Sequence, residues 1–409
     1  MYINLSFTTP KEKKMKKILS LIVAVLAAVT VCGAEKVQTT PKEVKLARQD
    51  RIFLPEEVYA VPGVECNIYF KNVFLTVNHA NYVFDVECSV GAQRKARWTF
   101  VPQKTDENKS YPLELKVYDE DEKLVARAET VIKVVPSNAG SGKEISILMI
   151  GDSLTAATVY PGKLRRHCLT PGNPKLKMIG AHAGKSKSPV PGGVAHEGYG
   201  GWTWKAFYTT YRDEKDFPDE RRKFAAKSRF LTMRDGKVVF DFANYLKKYN
   251  GGKTPDYITI QLGVNDVCFA TAEKLDSKIK EILKNADTLI GCLRKDAPET
   301  HIGIGFVTRG ADQDAFGTNY KCRLTWWSYF RNSFRLNQAM QKHFKGKKNI
   351  SMIPVNVNLD VENNFPTKAI EINPQLKVTQ QNNGVHPGYW GYIQMGDSYY
   401  AWLKYRLSL

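Results

Sequence analysis

The sequence has few of the features that build metal centres, nucleic-acid interfaces or membrane spans. Its seven cysteines include no C-x-x-C pair and its seven histidines include no His-x-x-x-His spacing, so neither a metal site nor a cofactor is expected. No dense block of Lys and Arg occurs after residue 35, which argues against a nucleic-acid partner. No uncharged apolar run reaches the roughly 20 residues that a transmembrane helix needs. These absences leave a globular protein whose chemistry is carried by its own side chains.

The longest apolar run belongs to a segment that is typical of a secretory signal peptide. Two lysines precede an apolar stretch over 18–31, and small residues follow it. We expect residues 1–34 to be a leader that is removed on export, which makes the protein secreted or periplasmic. Cleavage before Cys32 would instead leave a cysteine able to carry lipid, but Val31 is atypical of the residue that precedes such a cysteine. Free secretion is therefore the prediction.

The chain is strongly basic, with a formal net charge of +19 at pH 7. Such an excess favours acidic partners, which could be an anionic polysaccharide, nucleic acid or a membrane surface. Because the basic residues after residue 35 are scattered along the sequence, a diffusely basic surface is an equally good interpretation.

Short runs of alternating polar and apolar residues fill the first third of the chain. They predict a small all-β, Ig-like sandwich over residues 35–136, followed by a linker at 137–144 within "PSNAGSGKE". Cys66 and Cys88 lie in neighbouring strand-like runs of this region. They could form a disulfide in an oxidising compartment, or both could be buried thiols.

After the linker, apolar strands alternate with helices. The runs "EISILMIGDS", "DYITIQLGVND" and "THIGIGFVTRG" are almost continuously apolar, as expected of strands buried on both faces. Helical periodicity occupies 275–293, about 320–345 and the segment after 389. This alternation predicts an α/β domain over 145–409 with a parallel sheet covered on both faces. Ligands bind such sheets beyond the carboxyl ends of the strands.

Polar residues capable of chemistry stand at those strand ends. Ser153 follows the first strand in "GDSL", where its backbone N–H lies at a helix N-terminus, although a serine there is also a common helix cap. Asn265 ends another strand in "LGVND", where a turn role is the alternative. Between them, "HEGYGGWTW" contains three glycines that allow backbone N–H groups to approach a ligand.

Four separated blocks, "GDSL", "EGYGGW", "GVND" and "NGVHP", together resemble the SGNH family of GDSL-type esterases, in that family's order. The resemblance covers about 145–409 and implies a three-layer α/β/α, flavodoxin-like hydrolase domain. It also implies that Ser153 is the nucleophile and His386 the base that takes its proton. The backbone N–H groups of Ser153 and Gly201 and the side-chain amide of Asn265 would form the oxyanion hole.

Asn383 departs from the family pattern, which usually has Asp three residues before the histidine. An asparagine carbonyl can accept the same hydrogen bond from the imidazole, but it adds no charge. Three sources for the group that orients His386 remain open: Asn383 itself, a backbone carbonyl, or a carboxylate such as Asp360 or Glu362. Loss of activity, leaving a glycan-binding protein, is a fourth.

Trp202 and His196 are the candidate substrate-binding residues, because both adjoin the glycine block. For His196 a turn-capping role is an equal alternative. Five other aromatic residues could also form platforms for sugar rings: Trp204, Trp326, Trp327, Tyr389 and Trp390. Trp326 and Trp327 fall inside a predicted helix, so core packing is the better expectation for these two.

The substrate prediction follows from export, basic charge and aromatic content. The glycine block also resembles the form found in the bacterial carbohydrate O-acetylesterase branch of the family. We therefore expect an exported serine esterase that removes acetyl groups from a polysaccharide or oligosaccharide, with acidic glycans such as pectin among the candidates. A lipase or thioesterase acting on longer acyl chains is the alternative, as is a catalytically weakened glycan-binding protein.

Overall fold

A parallel sheet of six strands forms the centre of the computed structural model, which describes residues 46–182, 190–219, 223–313, 316 and 324–409. The strands are β8 (Glu144–Gly151), β9 (Lys175–Ile179), β10 (Glu197–Gly198), β13 (Tyr257–Gln261), β14 (His301–Gly305) and β15 (Ile350–Ile353). They run in the spatial order β10, β8, β13, β14, β15, and β9 pairs with the first half of β8. Both β9 and β10 lie on one side of β8, so this is the flavodoxin-like order, in which the chain changes direction across the sheet between β8 and β13.

Helices cover both faces of this sheet. Consecutive residues of β13 and β14 are buried after the first position of each strand, which requires packing on the two sides. The mixed α/β class and the parallel sheet agree with the prediction. The helices are α2 (Ser153–Ala156), α3 (Val159–Cys168), α4 (Ala206–Thr209), α5 (Phe242–Asn250), α6 (Val264–Val267), α7 (Leu275–Arg294), α8 (Trp326–Phe344) and α9 (Tyr389–Ser408).

Two hairpins that the sequence patterns did not indicate extend from this unit. One joins β11 (Leu231–Arg234) to β12 (Lys237–Phe240), and the other joins β16 (Thr367–Asn373) to β17 (Leu376–Gln381). Most residues of the second hairpin are exposed. It ends two residues before Asn383, so it leads directly into the segment that carries His386.

The N-terminal part of the described chain contains two further sheets around a core of their own. One sheet has the order β1, β7, β6, β3 and the other β2, β5, β4, with β1 and β7 paired in parallel. The elements are β1 (Glu57–Ala60), β2 (Cys66–Tyr69), α1 (Phe70–Val73), β3 (Val83–Cys88), β4 (Ala92–Gln93), β5 (Arg97–Phe100), β6 (Ser110–Tyr118) and β7 (Leu124–Val134). Cys66 and Cys88 are free thiols in this region. The Ig-like sandwich and the domain boundaries stay predictions.

These sheets are joined to the loop that follows β15. Val357 lies in the same core as the inner side chains of the two sheets. The Tyr69 N–H donates to the Val357 carbonyl at 3.0 Å, and Asn358 Oδ1 accepts from the backbone N–H and from the side-chain amide of Asn67. Buried polar contacts of this kind resist separation because each would leave an unpaired group. Residues 46–409 accordingly form one compact unit.

No helix within the described ranges is long and apolar enough to cross a bilayer. The predicted leader, 1–34, lies outside the described residues, so export stays a prediction from the sequence.

Candidate active site

Ser153 occupies the first position of α2, directly after β8. The Asp152 side chain caps this helix by accepting from the Leu154 N–H at 2.9 Å, so Asp152 and not Ser153 has the capping role. The serine hydroxyl is thereby left for other contacts. A Cβ atom on Gly151 would lie 1.9 Å from Thr155 Oγ1, which explains why glycine precedes this tight strand-to-helix turn.

The His386 imidazole contacts this serine. Its Nε2 lies 2.8 Å from Ser153 Oγ, and both side chains are half-buried. Residues 233 positions apart in sequence thus meet at the carboxyl edge of the sheet. A serine hydroxyl that donates to a neutral imidazole is the arrangement in which the imidazole can take the hydroxyl proton.

Asn383 holds the histidine segment through a single oxygen. Its Oδ1 accepts from the backbone N–H groups of Val385 at 3.1 Å and His386 at 2.9 Å, and it lies 3.3 Å from His386 Nδ1. Because two backbone N–H groups donate to this atom, it is the amide oxygen and can only accept. The proton in its contact with the imidazole is therefore assigned to Nδ1. Nε2 is then the unprotonated nitrogen, as a base for Ser153 requires.

The two carboxylates considered as alternative partners of His386 are engaged elsewhere. Asp360 Oδ1 accepts from the backbone N–H groups of Glu362 and Asn363, each at 3.0 Å, and its Oδ2 accepts from the Asn363 side chain. Glu362 is exposed and lies 3.3 Å from the Lys71 ammonium group. Of the three side chains considered, Asn383 is the one with a described contact to the imidazole, and its role as the orienting group stays a prediction.

The glycine block is fastened beside Ser153 by backbone pairing. Strand β10 pairs with the end of β8, and the Tyr199 N–H donates to the Gly151 carbonyl at 3.0 Å. A turn follows in which the Trp202 N–H donates to the Tyr199 carbonyl at 3.2 Å. Gly201 occupies the third position of this turn with φ of +81°, a conformation that glycine adopts without strain.

Asn265 lies in α6, directly beyond β13 and next to the glycine block. Its Nδ2 donates to the Trp202 carbonyl at 3.0 Å, which orients the amide and leaves its second N–H for another acceptor. The preceding Gly263 has φ of +125°, and a Cβ atom there would lie 2.7 Å from Val307 Cγ2. Glycine is therefore required for the turn that places Asn265. Ser153, Gly201 and Asn265 thus follow three strands, β8, β10 and β13, that are paired with one another at their carboxyl ends.

Two carboxyl groups are buried, each adjacent in sequence to a site residue. Asp152 precedes Ser153, and Asp266 follows Asn265 and accepts from the Trp204 N–H at 3.2 Å. The second oxygen of each carboxyl group is buried without a hydrogen-bond partner among the described residues. Burial raises the pKa of each to about 7, and the nearby Asp266 charge adds to the effect on Asp152.

These raised pKa values predict a pH-dependent stability. Between about pH 4 and pH 7 the folded protein keeps protons that the unfolded chain releases, so the free energy of unfolding falls as pH rises through this range. Asp266→Asn removes one ionising group and keeps the acceptor for Trp204. Urea unfolding at pH 4.5 and pH 8 measures the free energy of unfolding of both proteins. The difference between the variant and the wild type should shift in favour of the variant by on the order of 2 kcal/mol from the lower to the higher pH.

The exposed Asp276 supplies the control for this measurement, because Asp276→Asn removes a carboxylate in the first turn of α7 that is not buried. It should change the pH dependence little. Parallel pH profiles of wild type and Asp266→Asn would contradict the prediction.

Trp202 and His196, the candidate substrate-binding residues, are both buried in the structure, and contact of either with substrate stays a prediction. Trp202 is only 7% exposed, because its ring stacks on Tyr199 at 4.2 Å and packs edge-on against Phe207. His196 is fully buried, with Nε2 3.0 Å from Thr158 Oγ1 and Nδ1 accepting from the Gly198 N–H. Burial lowers the pKa of His196 to about 3, so its ring is neutral. Both side chains support the glycine block from beneath.

Other aromatic side chains are exposed near the histidine. Tyr389 and Trp390 are 48% and 67% exposed at the start of α9, three and four residues beyond His386. Phe269, four residues after Asn265, is 60% exposed. These rings are exposed whereas Trp202 is buried. The sequence patterns contain no signal that would have ranked these rings above Trp202 as candidates for substrate contact.

The chain is similar in structure to several solved esterases at low identity. A carbohydrate esterase family 3 structure from Talaromyces cellulolyticus has a TM-score of 0.40 and 14% identity over 64% of this chain and 98% of its own. A family 3 carbohydrate esterase of Clostridium thermocellum has a TM-score of 0.37 and 15% identity over 65% and 100%. The lipase/acylhydrolase from Enterococcus faecalis has a TM-score of 0.34 and 15% identity over 64% and 96%. No protein-family model and no curated protein matches the sequence.

Proposed function

We propose that this chain is an SGNH-type serine esterase that removes acetyl groups from a polysaccharide or oligosaccharide. The observation that carries the proposal is the 2.8 Å contact between His386 Nε2 and Ser153 Oγ at the carboxyl edge of the sheet. The chemistry needs a nucleophile, a base and donors for a developing oxyanion, and each has a candidate within this one cluster.

In the proposed reaction, His386 Nε2 takes the hydroxyl proton as Ser153 Oγ attacks the ester carbonyl carbon. The carbonyl oxygen becomes an oxyanion that the N–H groups of Ser153, Gly201 and Asn265 stabilise. When this intermediate collapses, the bond to the sugar oxygen breaks, and that oxygen takes the proton from Nε2. Water then attacks the acetyl-serine with His386 again as base, which releases acetate and restores the hydroxyl.

The aromatic residues around the site bear on the substrate. The rings of Tyr199, Trp202 and Phe207 are buried against one another in and beside the glycine block, so they are not exposed as a surface for a long acyl chain. The exposed rings of Tyr389 and Trp390 supply apolar faces of the kind on which sugar rings stack.

A panel of nitrophenyl esters tests the reaction class. Acetyl ester should be hydrolysed with a higher kcat/KM than butyryl ester, and octanoyl ester should be poorest. A preference for octanoyl would support a lipase or thioesterase instead. Acetate release from acetylated polysaccharides, measured beside the ester panel, then tests the carbohydrate part of the proposal.

Labelling by a serine-directed fluorophosphonate separates an enzyme from a glycan-binding protein that has lost turnover. An activated Ser153 reacts with the reagent, whereas a serine without a working base does not. Absence of labelling in the wild type would favour the binding protein.

Asn383→Ala is predicted to lower kcat by on the order of 10²-fold, because it removes the acceptor for Nδ1 and the two backbone contacts that hold the histidine segment. Asn383→Asp keeps an acceptor oxygen at the same position and adds charge that stabilises the imidazolium, so it should retain activity. Steady-state kinetics of the pair on nitrophenyl acetate provide the measurement. Equal activity in wild type and Asn383→Ala would assign the orienting role to another group.

A further inference from the structure

A large cleft lies between the N-terminal sheets and the α/β part of the chain, and nothing in the proposed reaction uses it. Its volume is about 740 Å³, within the range of cavities that bind small ligands. One wall comes from residues 70–96 and includes Tyr82 and Phe84. The other comes from the loops after β14 and β15 and from the first residue of α8, and includes Arg309 and Trp326. We call this space the aromatic cleft.

The second wall is hydrogen-bonded directly to the segment that carries His386. The Ala311 N–H donates to the Gly384 carbonyl at 3.0 Å, two residues before the histidine. The Gln381 side chain donates to the Val361 and Glu362 carbonyls, each at 2.8 Å. The loops that line the cleft and the loop that positions the base therefore form one connected layer.

Rigid aromatic rings line the cleft from both sides. Phe84 stacks on Phe70 with ring centroids 5.1 Å apart, and Tyr82 packs edge-on against Phe74 at 4.9 Å. Across the cleft, Trp326 is supported by the Arg309 guanidinium 5.7 Å from its ring. Tyr82, Phe84 and Trp326 are half-buried, so part of each ring is accessible. The C–H faces of sugar rings are apolar and pack against aromatic faces of this kind.

Polar groups at the rim complete a surface that suits a sugar chain. Lys95, Glu362 and Asn363 are exposed and offer an ammonium, a carboxylate and an amide to hydroxyl groups. Beneath these groups, the Arg309 guanidinium is buried and donates to the Lys71 carbonyl at 2.6 Å and to Asp312 Oδ1 at 2.9 Å, so it joins the two walls of the cleft.

The charges of the cleft largely neutralise one another. Lys71 lies 2.6 Å from an Asp312 oxygen and 3.3 Å from a Glu362 oxygen, and Arg309 lies 2.9 Å from the other Asp312 oxygen. The cleft is therefore not a patch of free positive charge, in spite of the basic net charge of the chain. This balance favours uncharged sugars over polyanions such as galacturonan.

We propose that the aromatic cleft binds a segment of uncharged polysaccharide, next to the ester that Ser153 attacks. The inference rests on the proposed function for the identity of the reaction, but binding in the cleft requires no catalysis. It gives the N-terminal sheets a direct part in substrate recognition, through Tyr82 and Phe84.

Calorimetric titration tests the binding with the full chain carrying Ser153→Ala, so that no turnover occurs. The probes are deacetylated hexasaccharides of xylan, glucomannan and galacturonan. Binding of a neutral hexasaccharide, weakened about tenfold by Tyr82→Ala or by Trp326→Ala, is the expected result. Failure of all three to bind, or binding of galacturonan alone, would overturn the proposal.

Tyr118→Ala is the matched control, because Tyr118 is also a half-buried tyrosine of the N-terminal sheets but lies outside the cleft lining. It should leave the dissociation constant unchanged. Equal weakening by Tyr82→Ala and Tyr118→Ala would show a general structural effect and would count against the cleft.

Kinetics separate this inference from the proposed function. In protein with an intact Ser153, Tyr82→Ala should lower the ratio of kcat/KM on the acetylated neutral polysaccharide to kcat/KM on nitrophenyl acetate by about tenfold, mainly through KM. If the wild type hydrolyses neither ester, the proposed function fails, while the titration still decides whether the cleft binds sugar.

Discussion

Ser153→Ala is expected to lower kcat on nitrophenyl acetate by on the order of 10⁴-fold or more and to abolish fluorophosphonate labelling. Without Oγ there is no atom to form the acyl intermediate, and His386 loses the hydroxyl that lies 2.8 Å from Nε2. The donors around the site stay in place, so a small residual rate over uncatalysed hydrolysis should survive. Steady-state kinetics and intact-protein mass spectrometry after labelling provide the two readouts.

Ser277→Ala is a suitable control for this experiment. Ser277 is exposed on α7 and its hydroxyl contacts only a carbonyl of the preceding turn among the described contacts, so the change removes a serine without approaching the site. Full activity in Ser153→Ala would refute the assignment of the nucleophile. A double variant with His386→Ala should lose little more than Ser153→Ala alone, because the two side chains act in the same step.

Asn265→Ala is expected to lower kcat by about 10²- to 10³-fold while leaving fluorophosphonate labelling detectable. The variant loses the amide donor proposed for the oxyanion, whereas the serine and its base remain. It also loses the 3.0 Å hydrogen bond to the Trp202 carbonyl, which ties α6 to the turn that carries Gly201. The measurement is kcat on nitrophenyl acetate together with the thermal midpoint, since folding must be intact.

The exposed Asn244 on α5 offers the matched control, because Asn244→Ala changes the same residue type at a position away from the site. A kcat within about twofold of wild type in Asn265→Ala would remove this amide from the proposed mechanism. Loss of labelling to the level of Ser153→Ala would show that the variant disturbs the nucleophile itself.

Much of the site could be predicted because its position follows from strand order. Ser153 and Asn265 each adjoin the end of an apolar strand, and parallel strands bring their carboxyl ends to one edge. In the structure, Ser153 follows β8 and Asn265 follows β13, the adjacent strands at which the chain reverses direction across the sheet. The pattern of apolar strands was therefore enough to predict that Ser153 and Asn265 lie at the same edge of the sheet.

The orientation of the histidine could not be predicted in the same way. The sequence offered Asn383, a backbone carbonyl, Asp360 and Glu362 as partners of comparable standing. Hydrogen bonds to Glu362 and Asn363 occupy Asp360, and Lys71 pairs with Glu362, so the local geometry leaves Asn383 in contact with His386. Lys71 comes from the N-terminal part of the chain, and no pattern within the histidine block could indicate its position.

The sequence by itself determined the mixed α/β class and the strand ends that carry Ser153 and Asn265, because these depend on local periodicity and on the rule that parallel strands share an edge. The histidine that meets the serine was identified by the resemblance of its "NGVHP" block to the SGNH family. Only the tertiary structure decided that Trp202 and His196 are buried, that Asp152 and Asp266 each bury one carboxyl oxygen without a hydrogen-bond partner among the described residues, and that residues 70–96 form a cleft with Arg309 and Trp326. Burial and contacts between distant segments depend on how the elements pack, because each side chain's exposure is set by neighbours that its own stretch of sequence does not contain.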